Sequence, residues 1–230
     1  MSKQSRLTKF AALLIATLAI ATVSRADTTL YSNGAPNGTY SAWTINFGYQ
    51  VQNSFNLGSA STLTGVTFGN WLISGDTGET VDWAIVTTEG TQTLACATCS
   101  GTASLSPDGT FAITPAGYNG VNQMFSLPDL SLSAGTYWLE LQNLVTADGE
   151  PGYWDMNGGP SMVWESEFGD QSGANCSEGN GAGTCSNSFT IIGNSAANAT
   201  PEPSSLALLG SGLTLMGAEL RRRLRRSPKA

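Results

Sequence analysis

The sequence between the two ends of the chain predicts an all-β domain, an antiparallel β-sandwich of the jelly-roll type. Apolar residues in this part alternate with polar ones along short segments, which is typical of strands and not of helices. Turn-forming clusters such as Gly75-Asp76-Thr77-Gly78 and Asn157-Gly158-Gly159 separate the segments, because glycine and Asx residues tolerate the backbone angles of tight turns. Short strands joined by frequent turns are typical of two-sheet sandwiches.

Eight segments of this domain are predicted to be strands. Their bounds are 40–49, 63–73, 81–87, 110–114, 123–127, 136–142, 161–168 and 188–192. In segment 136–142, Tyr137, Leu139 and Leu141 share one face. Trp138 lies on the opposite face with Glu140, so this large ring is predicted to lie on the polar side of its strand.

The N-terminal end is predicted to be a secretory signal peptide with a helical apolar part. Three basic residues within the first nine positions precede an uncharged apolar run over 10–23. Small residues then offer a cleavage site between Ala26 and Asp27. The alternative is a permanent anchor, but the run is shorter than the ~20 residues of a membrane span.

The C-terminal end combines a stiff linker, an apolar span and an arginine cluster. Pro201, Glu202 and Pro203 end the linker, and Arg221, Arg222 and Arg223 begin the cluster. An apolar run followed by arginines predicts a short transmembrane helix with a cytoplasmic end. The predicted organisation is a signal peptide over 1–26, an ectodomain over 27–193, a linker over 194–203, a transmembrane segment over 204–220 and a basic end over 221–230.

This order of Pro-Glu-Pro, short apolar span and terminal arginines resembles the PEP-CTERM sorting domain, a tail also catalogued as an ice-binding protein C-terminal domain. The resemblance covers residues 200–227. It implies recognition by an exosortase, a membrane-embedded cysteine protease that cleaves near the Pro-Glu-Pro. With signal peptidase acting at the other end, it implies a precursor tethered to the inner membrane and a product at the cell surface or outside the cell. The alternative is an ordinary tail anchor on a proline-bearing stalk.

The charge distribution excludes several classes of function. All ten Lys and Arg residues lie outside residues 27–203, the chain has no His, and only one of the seventeen acids, Glu219, lies outside that part. A domain with sixteen carboxylates and no basic side chain cannot neutralise phosphates, so nucleic-acid binding is not expected. Binding to anionic lipid surfaces is excluded for the same reason.

Four cysteines in an exported chain predict disulfides. They are Cys96, Cys99, Cys176 and Cys185, and the sequence favours the two local pairs, 96–99 and 176–185, among the three pairings. A redox role for the Cys96-Cys99 motif would need a neighbouring cation or a helix N-terminus to lower the thiol pKa. A zinc site would need all four thiolates to converge across a long separation.

Aromatic and oxygen-bearing side chains supply two candidate binding sites. Trp138, Tyr153 and Trp154 are candidate glycan-binding residues, with burial in the core as the alternative for each ring. A candidate calcium site combines oxygen ligands with neighbouring glycines. Its residues are Asp148, Glu150, Asp155 and Asn157. No other cofactor is expected.

The sequence favours a binding or structural role over catalysis. Without histidine, the chain has no Ser-His-Asp or Cys-His pair. Glu165 and Glu167 form a carboxylate pair on one strand, so a glycan-active enzyme of the glycoside hydrolase type is the alternative. The expected function is that of an exported, processed surface or matrix protein that is not an enzyme and associates with exopolysaccharide.

Overall fold

The structure of this protein is a computed structural model that describes residues 27–39, 41–114, 116–167, 170–173 and 186–195, and positions 213, 216 and 221. Fourteen strands and no helix are present in the part between 27 and 195 that is described. No helix among the described residues is long and apolar enough to cross a membrane. The predicted signal peptide lies outside these residues, and so does the predicted transmembrane segment apart from two isolated positions.

The strands form two antiparallel sheets. The eight-stranded sheet contains β1 (Thr28–Ser32), β2 (Ala42–Thr44), β4 (Ser61–Ile73), β7 (Ser106–Phe111), β8 (Tyr118–Leu132), β10 (Gly152–Asn157), β13 (Ser186–Asn187) and β14 (Phe189–Ser195). The six-stranded sheet contains β3 (Tyr49–Leu57), β5 (Gly78–Val86), β6 (Ser100–Ser104), β9 (Gly135–Thr146), β11 (Val163–Glu167) and β12 (Asp170–Gly173).

The central strand of the eight-stranded sheet is β4. It pairs with β8 along one side, and β7 lies outside β8. On its other side it pairs with β14 and then with β10, which follow each other along the strand. The six-stranded sheet has the order β12-β11-β3-β9-β5-β6. Consecutive strands therefore pass repeatedly from one sheet to the other.

The two sheets pack face to face across one apolar core. Phe125 of β8 stacks on Trp83 of β5 with ring centroids 6.5 Å apart. Phe189 of β14 meets Phe55 of β3 edge to face, also at 6.5 Å. Aromatic residues bury large areas, so these contacts across the sheets hold the layers together. The prediction of an all-β antiparallel sandwich is confirmed.

The predicted strand over 40–49 is wrong, because a turn interrupts it. β2 ends at Thr44 and β3 begins at Tyr49. Between them Phe47 and Gly48 have φ angles of 55° and 91°, in the left-handed region that strands do not use. The apolar alternation continues through the turn, so periodicity alone did not reveal it.

The strands that were not predicted include β6 and β10. β6 is built of small polar residues with no apolar alternation, and β10 lies within the segment predicted to be a cation-binding loop. Segments 63–73, 81–87 and 136–142 were predicted as strands and lie largely within β4, β5 and β9. Strong apolar alternation was therefore the reliable signal, and polar strands gave none.

The predicted disulfide between Cys96 and Cys99 is confirmed, with Cα atoms 5.0 Å apart. It closes the end of the β5–β6 loop, residues 87–99, just before β6 begins. Cys99 is fully buried against the core. The predicted pair of Cys176 and Cys185 lies outside the described residues.

Replacing Trp154 with alanine is expected to lower the free energy of unfolding by about 3–5 kcal/mol, the range found when a large aromatic leaves a packed core. Its ring packs edge to face on Phe68 and Phe189, and Nε1 donates to the Ser188 carbonyl at 2.8 Å. Denaturant titration of the exported protein measures the change. The control, Met162→Ala at a side chain that is 58 % exposed, is expected to shift it by less than about 0.5 kcal/mol. Equal stability of the two variants would contradict the position of Trp154.

Candidate functional site

The two tryptophans predicted to bind glycan are buried. Trp154 is 0 % exposed between the sheets. Trp138 is 5 % exposed and forms a small apolar cluster with Ala84, Val86 and Trp164. Trp138 does lie on the outer face of its sheet, as its position in the strand pattern suggested, but the β5–β6 loop covers that face. Neither ring is open to a glycan in this structure.

Tyr153 is partly exposed and belongs to an aromatic group, Trp71, Tyr118 and Tyr153, which we call the tyrosine patch. The rings come from β4, β8 and β10, which are neighbours in the eight-stranded sheet. Ring centroids are 6.2 Å apart for Trp71 and Tyr118, and 5.8 Å apart for Tyr118 and Tyr153. Sequence reasoning missed Tyr118, since the pairing of β8 with β4 places it there.

The phenol of Tyr153 stays neutral in the physiological range. Burial raises the pKa of Tyr153, and the neighbouring Tyr118 and Glu150 raise it further. A neutral phenol can both donate and accept a hydrogen bond. The patch therefore offers two partly exposed rings that carry hydroxyl groups, with Trp71 packed beside them.

Asp155 holds one ring of the tyrosine patch, that of Trp71, in place. Its Oδ1 accepts hydrogen bonds from Trp71 Nε1 at 2.6 Å and from the Gly38 amide at 3.0 Å, and its Oδ2 accepts one from the Asn37 amide at 3.0 Å. Burial raises the pKa of Asp155, and these donors partly offset that effect. The carboxylate fixes the indole of Trp71 and ties the segment before β2 to the sheet.

The four residues of the predicted calcium site differ in exposure. Asp148 and Glu150 are exposed in the turn before β10, whereas Asp155 and Asn157 are buried further along that strand. The oxygens of Asp155 already accept hydrogen bonds, and Asn157 Oδ1 accepts one from Ser186 Oγ at 2.9 Å. The described residues contain no group of three or more His, Cys, Asp or Glu able to hold a metal, so the calcium site stays a prediction.

The carboxylate pair of the alternative catalytic hypothesis lies on β11, between β12 and β3 of the six-stranded sheet. Glu165 pairs with Val51 and Glu167 pairs with Tyr49, so both positions lie on the face of the sheet that carries the buried Val51. The register of β11 against β3 sets the orientation, which periodicity in β11 alone could not decide.

Glu140, a buried carboxylate that sequence reasoning did not single out, lies on the outer face of the same sheet. Its Oε2 accepts hydrogen bonds from Gln52 Nε2 at 2.7 Å and Gln92 Nε2 at 3.1 Å, and its Oε1 accepts one from Gln142 Nε2 at 3.2 Å. It is 0 % exposed. Burial raises its pKa, and the amides of Gln52, Gln50 and Gln92 act in the opposite direction.

The amides around Glu140 also fasten the β5–β6 loop to the sheet. Gln52 Oε1 accepts from the Gly90 amide at 2.9 Å, and Gln52 Nε2 donates to the Thr91 carbonyl at 3.2 Å. A Cβ at Gly90 would lie 3.0 Å from Nε1 of Trp164, and φ there is 64°, so glycine suits this close approach. Glu140 is thus enclosed by neutral amides under a loop, which is a structural arrangement and not an accessible acid.

Comparison with known proteins identifies the tail. A family model, the PEP-CTERM protein-sorting motif, matches residues 199–226. The tail is a PEP-CTERM sorting motif. The match confirms the resemblance based on Pro201, Glu202, Pro203 and the arginine cluster. A search among curated proteins found no significant relative of the chain.

The PEP-CTERM motif indicates export, a membrane-anchored precursor and processing by an exosortase. It covers the C-terminal end and leaves the sandwich unassigned. The side chains of the sandwich include a partly exposed aromatic group, the tyrosine patch, and an enclosed acid, Glu140.

Replacing Glu140 with glutamine is expected to raise the free energy of unfolding at neutral pH. The pKa of Glu140 is raised in the folded state, so the wild-type protein loses stability as pH rises from the ordinary carboxyl value through the raised one. The Glu140→Gln variant does not lose stability in this way. The difference in free energy of unfolding between the variant and the wild-type protein should therefore disappear at acid pH. Denaturant titration across pH measures it.

The matched control is Glu89→Gln, at an exposed acid of the same loop, which should change the free energy of unfolding at neutral pH by less than about 0.5 kcal/mol. A Glu140→Gln variant that is less stable than the wild type at neutral pH, or one with the same pH profile, would contradict the assigned effect of burial.

Proposed function

We propose that this chain is an exported protein, processed by an exosortase, that stays at the cell surface or in the extracellular matrix and binds a neutral polysaccharide without cleaving it. The tyrosine patch is the observation that carries the proposal, since it is a partly exposed aromatic group on a domain sorted to the outside. Signal peptidase and an exosortase are the processing partners, and the inner membrane holds the precursor before cleavage.

The chemistry of the patch suits a sugar ring. The flat apolar faces of sugars pack on aromatic rings, and their hydroxyl edges pair with phenols, amides and carbonyls. Tyr118 and Tyr153 offer both kinds of contact at one place. The Nε1 of Trp71 is already committed to Asp155, so Trp71 acts by holding the neighbouring ring of Tyr118 in position.

The negative charge of the domain favours neutral polysaccharides over acidic ones. The part between residues 27 and 203 has sixteen carboxylates and no basic side chain, so an acidic polysaccharide would be repelled and no side chain could pair with its charges. A neutral polysaccharide meets no such barrier. Neutral glycans are therefore the proposed partner class.

The strand order supports a jelly roll, the finer form of the predicted sandwich. Strands β2-β10-β4-β8 lie side by side in one sheet and β3-β9-β5-β6 in the other. Jelly rolls occur in many lectins. A fold does not assign an activity by itself, so this point supports glycan binding only together with the tyrosine patch.

The rival function, a glycan-active enzyme that uses two carboxylates, is less well supported. Glycoside hydrolysis needs two carboxyl groups that flank an accessible sugar. Glu140 is enclosed by amides, and Glu165 lies on the core-facing side of its strand. Binding without cleavage is the better explanation of these positions, and hydrolysis is kept as an outcome of the test.

Replacing Tyr153 or Tyr118 with alanine is expected to weaken binding to a neutral polysaccharide by about tenfold, because each variant loses aromatic contact and a hydroxyl. Affinity electrophoresis against a soluble β-glucan, a mannan and a galactan, with alginate as the acidic comparison, measures it. Release of reducing ends is followed in the same samples.

The matched control is Met124→Ala, which removes an exposed apolar side chain from the outer face of the same sheet. It should bind like the wild-type protein. Binding that survives loss of both tyrosines would refute the site, and reducing ends released in proportion to the protein would favour the enzyme.

Processing is tested by the intact mass of the protein from hosts with and without an exosortase. The arginine cluster that starts at Arg221 should be missing from the mature protein only where the exosortase is present. A Pro201→Ala, Pro203→Ala double variant should keep the cluster in both hosts, since the Pro-Glu-Pro is the recognition feature. A cluster that remains in the wild-type protein of a host with an active exosortase would make the tail a plain anchor.

A further inference from the structure

Strand β6 forms one end of the six-stranded sheet and has a free edge. Its paired neighbour is β5, in a regular register that runs from Thr80 opposite Ser104 to Ala84 opposite Ser100. Its side chains are small, and most of the strand is exposed. A regular, exposed edge strand offers backbone hydrogen-bonding groups to another chain.

The hydrogen bonds at both ends of β6 define which backbone groups are free. Ile85 N donates to the Cys99 carbonyl at 2.8 Å, and Leu105 N donates to the Glu79 carbonyl at 2.8 Å. In an antiparallel ladder such pairs alternate with residues whose N–H and C=O point away. The residues of β6 that point away from β5 are Ser100, Thr102 and Ser104.

The other edge strands of the two described sheets carry features that discourage pairing. β7 contains Pro107 and Asp108 and is bulged, and β1 is also bulged. β12 starts with Asp170, and β2 has three residues. Proline, charge, bulges and shortness are the usual protections of edges. β6, with the sequence Ser-Gly-Thr-Ala-Ser, has no proline, charge or register shift.

Space for an additional strand lies beside this edge. A groove of ≈ 570 Å³ runs between β6 and residues 126–128 of β8, with Trp83 in its lining. The lining residues carry hydroxyl, methyl and backbone groups and no charged side chain. An incoming strand could therefore reach the free N–H and C=O groups of β6 without burying a charge.

We propose that β6 is a self-association edge, at which a second copy of this chain adds its own β6 in antiparallel register around a two-fold axis at Thr102. The free groups are symmetric about Thr102, so Ser100 would pair with Ser104 of the partner subunit and Thr102 with its own equivalent. This self-complementarity is what an isologous dimer requires, and it favours a second copy over an unrelated peptide. The inference is independent of the proposed glycan binding.

The charge of the domain predicts how such a dimer responds to salt. Two domains with sixteen carboxylates each repel one another. The edge itself is uncharged, and Asp82, on the strand next to it, has its carboxylate bonded by Thr102 Oγ1 and Asn143 Nδ2. Salt screens the long-range repulsion and leaves backbone pairing largely intact, so added salt should strengthen the association.

The test is Thr102→Pro, compared with Thr102→Val. Proline removes the outward N–H of Thr102, which is not used in pairing with β5, so the fold should persist. Valine keeps that N–H. Sedimentation equilibrium of the processed protein should show dimers for the wild type and Thr102→Val, strengthened by salt, and association about tenfold weaker or absent for Thr102→Pro. Denaturant titration checks that both variants are folded.

Single cysteines report the register independently of the proline variant. Thr102→Cys should be joined to a second copy by a short bismaleimide, because the two-fold axis places the position next to itself. Ser100→Cys should be joined efficiently only when mixed with Ser104→Cys. The protein without an added cysteine is the background control.

Three outcomes would overturn the proposal. They are a wild-type protein that stays monomeric at every concentration and salt level, a Thr102→Pro variant that associates as strongly as Thr102→Val, and cross-linking without preference for position 102. Monomers that bind a neutral β-glucan only when Thr102 is not proline would instead assign the groove to polysaccharide.

Discussion

The part of the chain between residues 27 and 195 has no Lys, Arg or His, so every buried carboxylate among its described residues must be stabilised by uncharged donors. A buried charge without a partner is strongly unfavourable. In this structure, side-chain amides, an indole and backbone N–H groups donate hydrogen bonds to the buried carboxylates. Glu140 is enclosed by glutamine side chains, and Asp155 is held by Trp71 and two backbone amides. Burial acts to raise the pKa of Asp76, but N–H donors such as those of Asp148 and Thr77 hold it below its usual value.

Hydrogen bonds between uncharged groups also connect the two sheets. Asn53 of β3 and Asn187 of β13 exchange hydrogen bonds at 2.9 and 3.0 Å, although they belong to different layers. Asn33 donates to the Asn187 carbonyl at 2.6 Å, and Asn157 donates to the Asn33 carbonyl at 2.8 Å. These buried amides satisfy the backbone where strands and loops cross. A residue such as Asn157, which the sequence offers as a cation ligand, is therefore part of the network that closes the sandwich.

Apolar alternation predicted the fold class because it reports the face that each strand buries. It worked for β4, β5 and β9 and placed Trp138 on the outer side of its strand. It could not show that a loop covers that side, since the covering depends on contacts between Gln52 and residues far along the chain. It also gave no sign of the tyrosine patch, which exists because the register of three strands brings Tyr118 beside Tyr153. A site formed by side chains from several strands can be predicted only when the pairing register of those strands is known. The amino-acid composition does not give that register.

Basic residues are confined to the two ends of the chain, and this determines which side chains can protect the sheet edges of the sandwich. Every basic residue lies outside residues 27–203, in the two ends that the sequence predicts to direct export and membrane orientation. Lysine, the commonest protection of an exposed sheet edge, is consequently absent from the sandwich. The edges must instead be protected by proline, aspartate, bulges or shortness, as in β7, β1, β12 and β2. β6 has none of these, so its regular edge is also uncharged. In a strongly acidic domain, such an edge is where a second copy can approach with the least repulsion.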